Sequence, residues 1–156
     1  MLKWLWVSGV VIVLDQLTKL WASSALNYAE PVPVIPFFNL TLLHNTGAAF
    51  SFLSTAGGWQ RWLFALIAVV VSAVLLIWLR RLKPGQLWLA LALTLVLGGA
   101  LGNVIDRLYF GYVIDFLDFY YGRWHWPAFN VADMAISVGA VMLIIDSLRP
   151  ERKDEP

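Results

Sequence analysis

"WLFALIAVVVSAVLLIWL", residues 62–79, runs for eighteen residues without a charge. A helix of that length covers about 27 Å, close to the ~30 Å hydrocarbon core of a bilayer. The stretch reads as a membrane-spanning helix, and the rest of the chain is organised around it. Next comes "RRLKPG" at 80–85, a basic turn in which Pro84 and Gly85 break the helix. A second apolar run, "LWLALALTLVLGGALGNVI", occupies 87–105. Two more complete a set of four: "WLWVSGVVIVLDQLTKLWA" at 4–22, and 128–148, which contains "AFNVADMAISVGAVMLII".

Composition agrees with that reading. The 156 residues are 60% hydrophobic and 13% charged, with a mean hydropathy of +0.73. A soluble domain is nearer ~45–50% apolar and ~25% charged. The expected fold is an all-α polytopic membrane protein of four transmembrane helices. It carries a small extracytoplasmic β-rich segment at 27–58 and an outer interfacial loop at 110–126. The whole of 1–156 forms one membrane-embedded domain. A net charge of +1 leaves no basic face for nucleic acid. Zero cysteines exclude disulfides, a thiol nucleophile and cysteine metal sites.

Charge asymmetry orients the spans. Lys3, Arg80, Arg81, Lys83, Arg149, Arg152 and Lys153 fall on one side, against Arg61, Arg107 and Arg123 on the other. The positive-inside rule places both termini and the 80–85 turn in the cytoplasm. The first span resembles a secretory signal, with Lys3 before it and small residues at 22–25. Asp15 and Lys19 interrupt it, so a retained anchor is expected. The tail 149–156 reads as a solvated end. In 27–58, three prolines precede "FFNLTLLHNTGAAFSFL", whose β-branched and aromatic residues suit short strands. "FGYVIDFLDFYYGRWHW" at 110–126 is rich in Tyr and Trp and reads as a loop along the outer leaflet.

Depth then sorts the acids. Asp15 lies eleven residues beyond Trp4, roughly 17 Å into the first span and in its outer half. Asp106 ends the third span at its outer edge, and Asp133 lies within about 10 Å of the outer surface. Asp146 alone falls at the inner end. Asp15, Asp106, Asp115 and Asp133 thus share one level with Asn45, Asn103, Arg107 and Asn130. Near the bilayer centre each charge costs ~2.5–3.5 kcal/mol or more, so an intramembrane cluster of acids suggests a site.

The individual residues support different readings. Asp15 and Lys19, spaced i,i+4, form a simple helix ion pair or brace a site from behind. Asp106, beside Arg107 and one turn after Asn103, suits a structural pair or chemistry. Asp118 reads as a solvated loop acid, and Arg123 and Trp124 as headgroup anchors. Asp115 follows the apolar "GYVI", and Asp133 has no basic neighbour in its own span. Two close carboxylates in a dry pocket cannot both ionise cheaply, so they share a proton. Such a pair can activate water with one acid and polarise a carbonyl with the other. The sequence leaves their separation open.

No nucleophile-elbow pattern surrounds Ser51 or Ser54. His44 and His125 lack any metal-ligand spacing and read as satisfied loop histidines. "GGALG" at 98–102 suits close helix packing.

In order, "DQLTK" at 15–19, "NTGAAF" at 45–50, "GGALGNVIDR" at 98–107, "VIDF" at 113–116 and "FNVAD" at 129–133 resemble the motifs of the bacterial lipoprotein signal peptidase (signal peptidase II) family. The resemblance covers nearly the whole chain. It implies an aspartic endopeptidase of the bacterial cytoplasmic (inner) membrane, with Asp115 and Asp133 as catalytic acids. It implies substrate-binding positions at Asn45, Asn103, Arg107 and Asn130, and supporting roles for Asp15 and Asp106. The implied substrate is a prolipoprotein carrying diacylglycerol on its lipobox cysteine, cut just before that cysteine. Membrane lipid is the other expected partner, and no metal or organic cofactor is required. The aromatic stretch 110–126 is expected to cover the site as a lid.

Two other classes also place acids in membranes. A small proton-coupled transporter or channel would spread them through the depth, commonly with inverted repeats or broken helices. A non-catalytic assembly partner would tolerate Asp115→Asn and Asp133→Asn. Cleavage of a lipidated prolipoprotein separates all three.

Overall fold

A computed structural model of the chain describes residues 1–47 and 58–148. Residues 48–50 of the second motif, Ser51, Ser54 and the tail 149–156 lie outside the described residues. After a 3-10 turn at Leu2–Trp4 come α1 (Leu5–Ala25), β1 (Val32–Ile35), β2 (Phe38–Asn45), α2 (Gln60–Arg81) and α3 (Leu87–Tyr109). Then follow β3 (Val113–Tyr121), β4 (Trp124–His125) and α4 (Val131–Ser147). This is a mostly helical, membrane-type protein with one small antiparallel sheet. Among the described residues three helical segments, Leu2–Ala25, Gln60–Arg81 and Leu87–Tyr109, are long and apolar enough to cross a bilayer.

Helix α1 shows why water is not the solvent around this bundle. Its buried positions are Ser8, Val11, Asp15, Lys19 and Ala22, a single stripe at helical spacing. Trp6, Val10, Val13, Leu14, Leu17 and Leu20 point outward. The ionisable pair Asp15 and Lys19 faces in and large apolar side chains face out, as expected where lipid surrounds the bundle.

Helix α3 is the hub, packed against α1, α2 and α4. Glycines permit these approaches. A Cβ on Gly98 would lie 2.8 Å from Val11 Cβ of α1, and one on Gly99 would strike the Ala132 carbonyl of α4. One on Gly139 would lie 2.6 Å from Val96 Cγ2 of α3. Small-residue seams of this kind let membrane helices gain dispersion and hydrogen bonds without a hydrophobic drive between them. Two apolar clusters mark the two ends. Leu75, Leu79, Leu82, Ala90, Leu93 and Leu97 gather at one end with Met1, Trp4, Leu5 and Leu143. Ala22, Leu42, Ile114 and Phe116 gather under the sheet at the other.

The sheet runs β1-β2-β3-β4, every neighbour antiparallel. The strands expected in 27–58 are present as β1 and β2. The loop expected at 110–126 is not: Val113–Tyr121 is the longest strand and Trp124–His125 pairs back onto it. Val113 to Phe116 are all buried, so the strand lacks the in–out alternation that would have identified it. Its aromatic and β-branched residues express β-propensity rather than only an interfacial preference.

The fourth helix also starts later than expected. Asn130 is its N-cap, so Asp133 sits in its first turn. There a carboxylate meets free backbone N–H groups and the positive end of the helix dipole. Part of the cost of burying this acid is thereby offset locally. The helix has 17 residues, about 26 Å.

Candidate active site

Asp133 and Asn130 form a reciprocal cap. The Asp133 N–H donates to Asn130 Oδ1 at 3.0 Å, and the Asn130 N–H donates to Asp133 Oδ2 at 3.3 Å. The Asn130 side chain, wholly buried, also donates through Nδ2 to Asp115 Oδ1 at 2.7 Å. One asparagine therefore touches both acids, its main chain on one and its amide on the other. Each acid has a second donor: Asn103 Nδ2 lies 2.8 Å from Asp133 Oδ1, and Asn45 Nδ2 lies 3.1 Å from Asp115 Oδ2. Asp115, Asp133, Asn45, Asn103 and Arg107 all line one cavity of about 1030 Å³.

Asp115 comes from β3 and is 3% exposed. Burial is the main reason its carboxyl is pushed up to about 7, and the Asp133 charge adds to the shift. The amides of Asn45 and Asn130 and the charge of Lys19 oppose it. Near neutral pH this acid is thus poised between its two states.

Arg107 holds the end of β2 against α3. Its Nη2 donates to Gly47 O at 3.1 Å and its Nη1 to Asn103 O at 3.3 Å, while its guanidinium lies 5.5 Å from the Phe64 ring centre. Gly47 N donates in turn to Asn45 Oδ1 at 2.9 Å, closing a turn that aims the Asn45 amide at Asp115.

Behind the cavity lies a separate polar knot. Lys19 Nζ is 2.8 Å from both Asp15 Oδ2 and Asp106 Oδ2, and donates to Asn103 Oδ1 at 3.0 Å. Asp15 Oδ1 accepts the Ala132 N–H of α4 at 2.9 Å, and Asp106 Oδ2 accepts the Ile114 N–H at 3.1 Å. Gln16 Nε2 adds a bond to Asp106 Oδ1 at 2.8 Å. The i,i+4 pair expected of Asp15 and Lys19 is present, buried rather than on a helix surface. Asp106 pairs with Lys19 and not with the adjacent Arg107, because successive residues of a helix point in different directions. Gln16 and the double role of Lys19 lie outside what the sequence motifs indicate. A lysine inside an apolar span, unable to reach water, was the available signal.

Asp118 corrects another expectation. It is 4% exposed, not solvated, with Thr41 Oγ1 donating to its Oδ2 and His125 Nδ1 against its Oδ1, each at 2.8 Å. His44 stacks on Tyr112 with ring centres 4.0 Å apart, and burial lowers its pKa. Among the described residues no three His, Asp or Glu side chains are grouped to hold a metal ion.

Known proteins extend this picture. A family model described as signal peptidase (SPase) II matches residues 7–149. This chain belongs to the signal peptidase II family. A lipoprotein signal peptidase of Pseudomonas aeruginosa (strain UCBPP-PA14) is 56% identical over 156 residues, covering 99% of this chain and 92% of its own. One from Shewanella loihica (strain ATCC BAA-1088 / PV-4) is 57% identical over 153 residues, covering 97% and 89%. A solved structure described as a bacterial membrane enzyme superposes with a TM-score of 0.87 at 29% identity, covering 99% of this chain and 93% of that one. Another so described reaches 0.81 at 31% identity, covering 98% and 94%. The family is one of proteases, so the cavity belongs to a signal peptidase II.

Proposed function

We propose that this chain is an aspartic endopeptidase that removes signal peptides from diacylglyceryl-modified prolipoproteins, cutting just before the lipidated cysteine. The observation that carries the reading is the bridge of Asn130 to both acids at one cavity. Asp133, at its helix N-terminus, takes a proton from a water held between the acids. The water oxygen attacks the scissile carbonyl carbon while Asp115 gives its proton to the carbonyl oxygen. In the collapse of the resulting gem-diol, Asp133 returns its proton to the leaving amide nitrogen, the C–N bond breaks, and Asp115 recovers a proton from a hydroxyl. The amides of Asn45, Asn103 and Asn130 orient the two carboxylates, and Arg107 holds the 45–47 turn. Asp15 and Asp106 support the site through Lys19.

The whole chain acts as one membrane-embedded domain with four crossings, α4 being the fourth. The sheet lies at the outer face of the bacterial cytoplasmic membrane, and Arg80, Arg81 and Lys83 lie in the cytoplasm with both termini. The substrate's acyl chains, held among membrane lipid, then bring its scissile bond to the level of the acids. The test is cleavage by purified protein in lipid–detergent micelles. A diacylglyceryl-modified prolipoprotein should yield one product with the lipidated cysteine at its new N-terminus, read by mass spectrometry. Equal cleavage of the unlipidated precursor would remove the lipid from the proposal.

A further inference from the structure

The cavity holds a third carboxylate, Asp118, that the mechanism does not use. Asp115 and Asp118 are three apart on β3, so in a flat strand they would face opposite sides. Both nevertheless line the cavity, and the pairing of β2 with β3 slips between Leu40 and Leu43, beside them. Thr41 and His125, the two close partners of Asp118, line the same space.

This trio is more than a strap between strands. β4 is already tied to β3 by the Tyr120–His125 and Tyr121–Trp124 pairs and by the Trp126 N–H to Phe119 O bond of 2.8 Å. The polar geometry fixes the imidazole. Asp118 accepts the Thr41 hydroxyl at one oxygen, and its other oxygen lies 2.8 Å from His125 Nδ1, which places the proton of a neutral imidazole there. In that neutral ring Nε2 is an acceptor. Among the described residues it has no hydrogen-bond partner, and the His125 side chain is 47% exposed.

Such an acceptor answers a need of the cavity. A peptide held at the membrane boundary carries N–H groups that lose water and require acceptors. The amide oxygens near the catalytic acids are engaged: Asn103 Oδ1 by Lys19 and Asn130, and Asn45 Oδ1 by Gly47 N. We propose that Thr41, Asp118 and His125 form a second polar subsite, in which His125 Nε2 accepts a backbone N–H of the bound substrate. The proposal rests on the assignment of the cavity to a prolipoprotein. Asp118 and Thr41 are positioning residues that act through the ring.

The experiment pairs a variant with altered substrates. His125→Phe keeps a ring to stack on Tyr120 and removes the nitrogen. On lipidated prolipoprotein its KM should rise about five- to tenfold, a hydrogen bond's worth, with kcat within about twofold. A series of substrates in which single peptide N–H groups are replaced by ester oxygens is run on wild type, whose folding is not in question. One ester position should raise the wild-type KM by the same factor and have no further effect on His125→Phe. An unchanged KM in His125→Phe, or ester penalties equal in both enzymes at every position, overturns the subsite. So does a wild type indifferent to every ester. Failure of wild type to cleave the parent substrate would instead defeat the functional assignment itself.

Discussion

Two clusters of carboxylates lie within this bundle, joined by Asn103, and they are built on opposite principles. In the rear cluster Asp15 and Asp106 share Lys19 at 2.8 Å each and are wholly buried. Backbone N–H groups of α4 and β3 dock onto them, so the knot ties α1, α3, α4 and the sheet together. In the forward cluster Asp115 and Asp133 receive the neutral amides of Asn45, Asn103 and Asn130 and open onto the cavity. A lysine 2.8 Å from two carboxylates ties them into the scaffold, whereas the amides orient the forward pair toward the cavity. The lesson is that depth alone does not make an acid reactive. On the proposed function, the amide-held pair that opens onto the cavity is the reactive one.

The forward cluster should give the largest effect. Asp133→Asn and Asp115→Asn should each lower kcat by at least ~10³-fold while leaving a helical, monodisperse protein. The double variant should be little worse than either single one, since the two act as a unit. Folded Asp133→Asn protein cleaving at near wild-type rate would move Asp133 into the scaffold and erase the contrast.

The rear cluster should fail in the other currency, stability. Lys19→Met leaves two buried acids without their cation, a loss of roughly 3–5 kcal/mol. Its melting temperature in detergent should fall well below that of wild type. Adding Asp15→Asn and Asp106→Asn should recover part of the loss by removing the stranded charges. A Lys19→Met protein that melts like wild type yet cannot cleave would place the knot in the chemistry and blur the two clusters.

How far these clusters could be read in advance depended on range. The apolar runs at 62–79 and 87–105 are local signals, and α2 and α3 lie where they place them, a few residues longer at the ends. The common level of Asp15, Asp106, Asp115 and Asp133 followed from helix rise. That Lys19 serves Asp106, 87 residues away, could not follow, because helix rotation and crossing angle decide it. Strand β3 was hidden by burial on both faces, and with it the burial of Asp118. The cap at Asn130 was within reach: asparagine three residues before aspartate, ahead of an apolar run, is a helix-start pattern.

The smallest expected effect concerns protons and sharpens the comparison most directly. Asp115 sits near 7 against an ordinary value of 3.8, chiefly through burial. If it supplies the proton to the scissile carbonyl, kcat should fall as pH rises through about 7. Between pH 7 and 8 the protonated fraction drops roughly fivefold, and the rate with it. The same shift acts on stability. The folded pKa lies above the unfolded one, so the unfolded chain holds fewer protons between the two values, and stability declines as pH rises from about 4 through about 7. Below about 4 both states are protonated and the contribution is complete. Asp115→Asn carries no titrating group there, so its melting temperature should lack that part of the wild-type slope. Melting curves of both proteins across pH 4–8 give the difference directly. Parallel curves would mean that Asp115 ionises as readily in the cavity as in the unfolded chain, and the proton would then have to be held by Asp133.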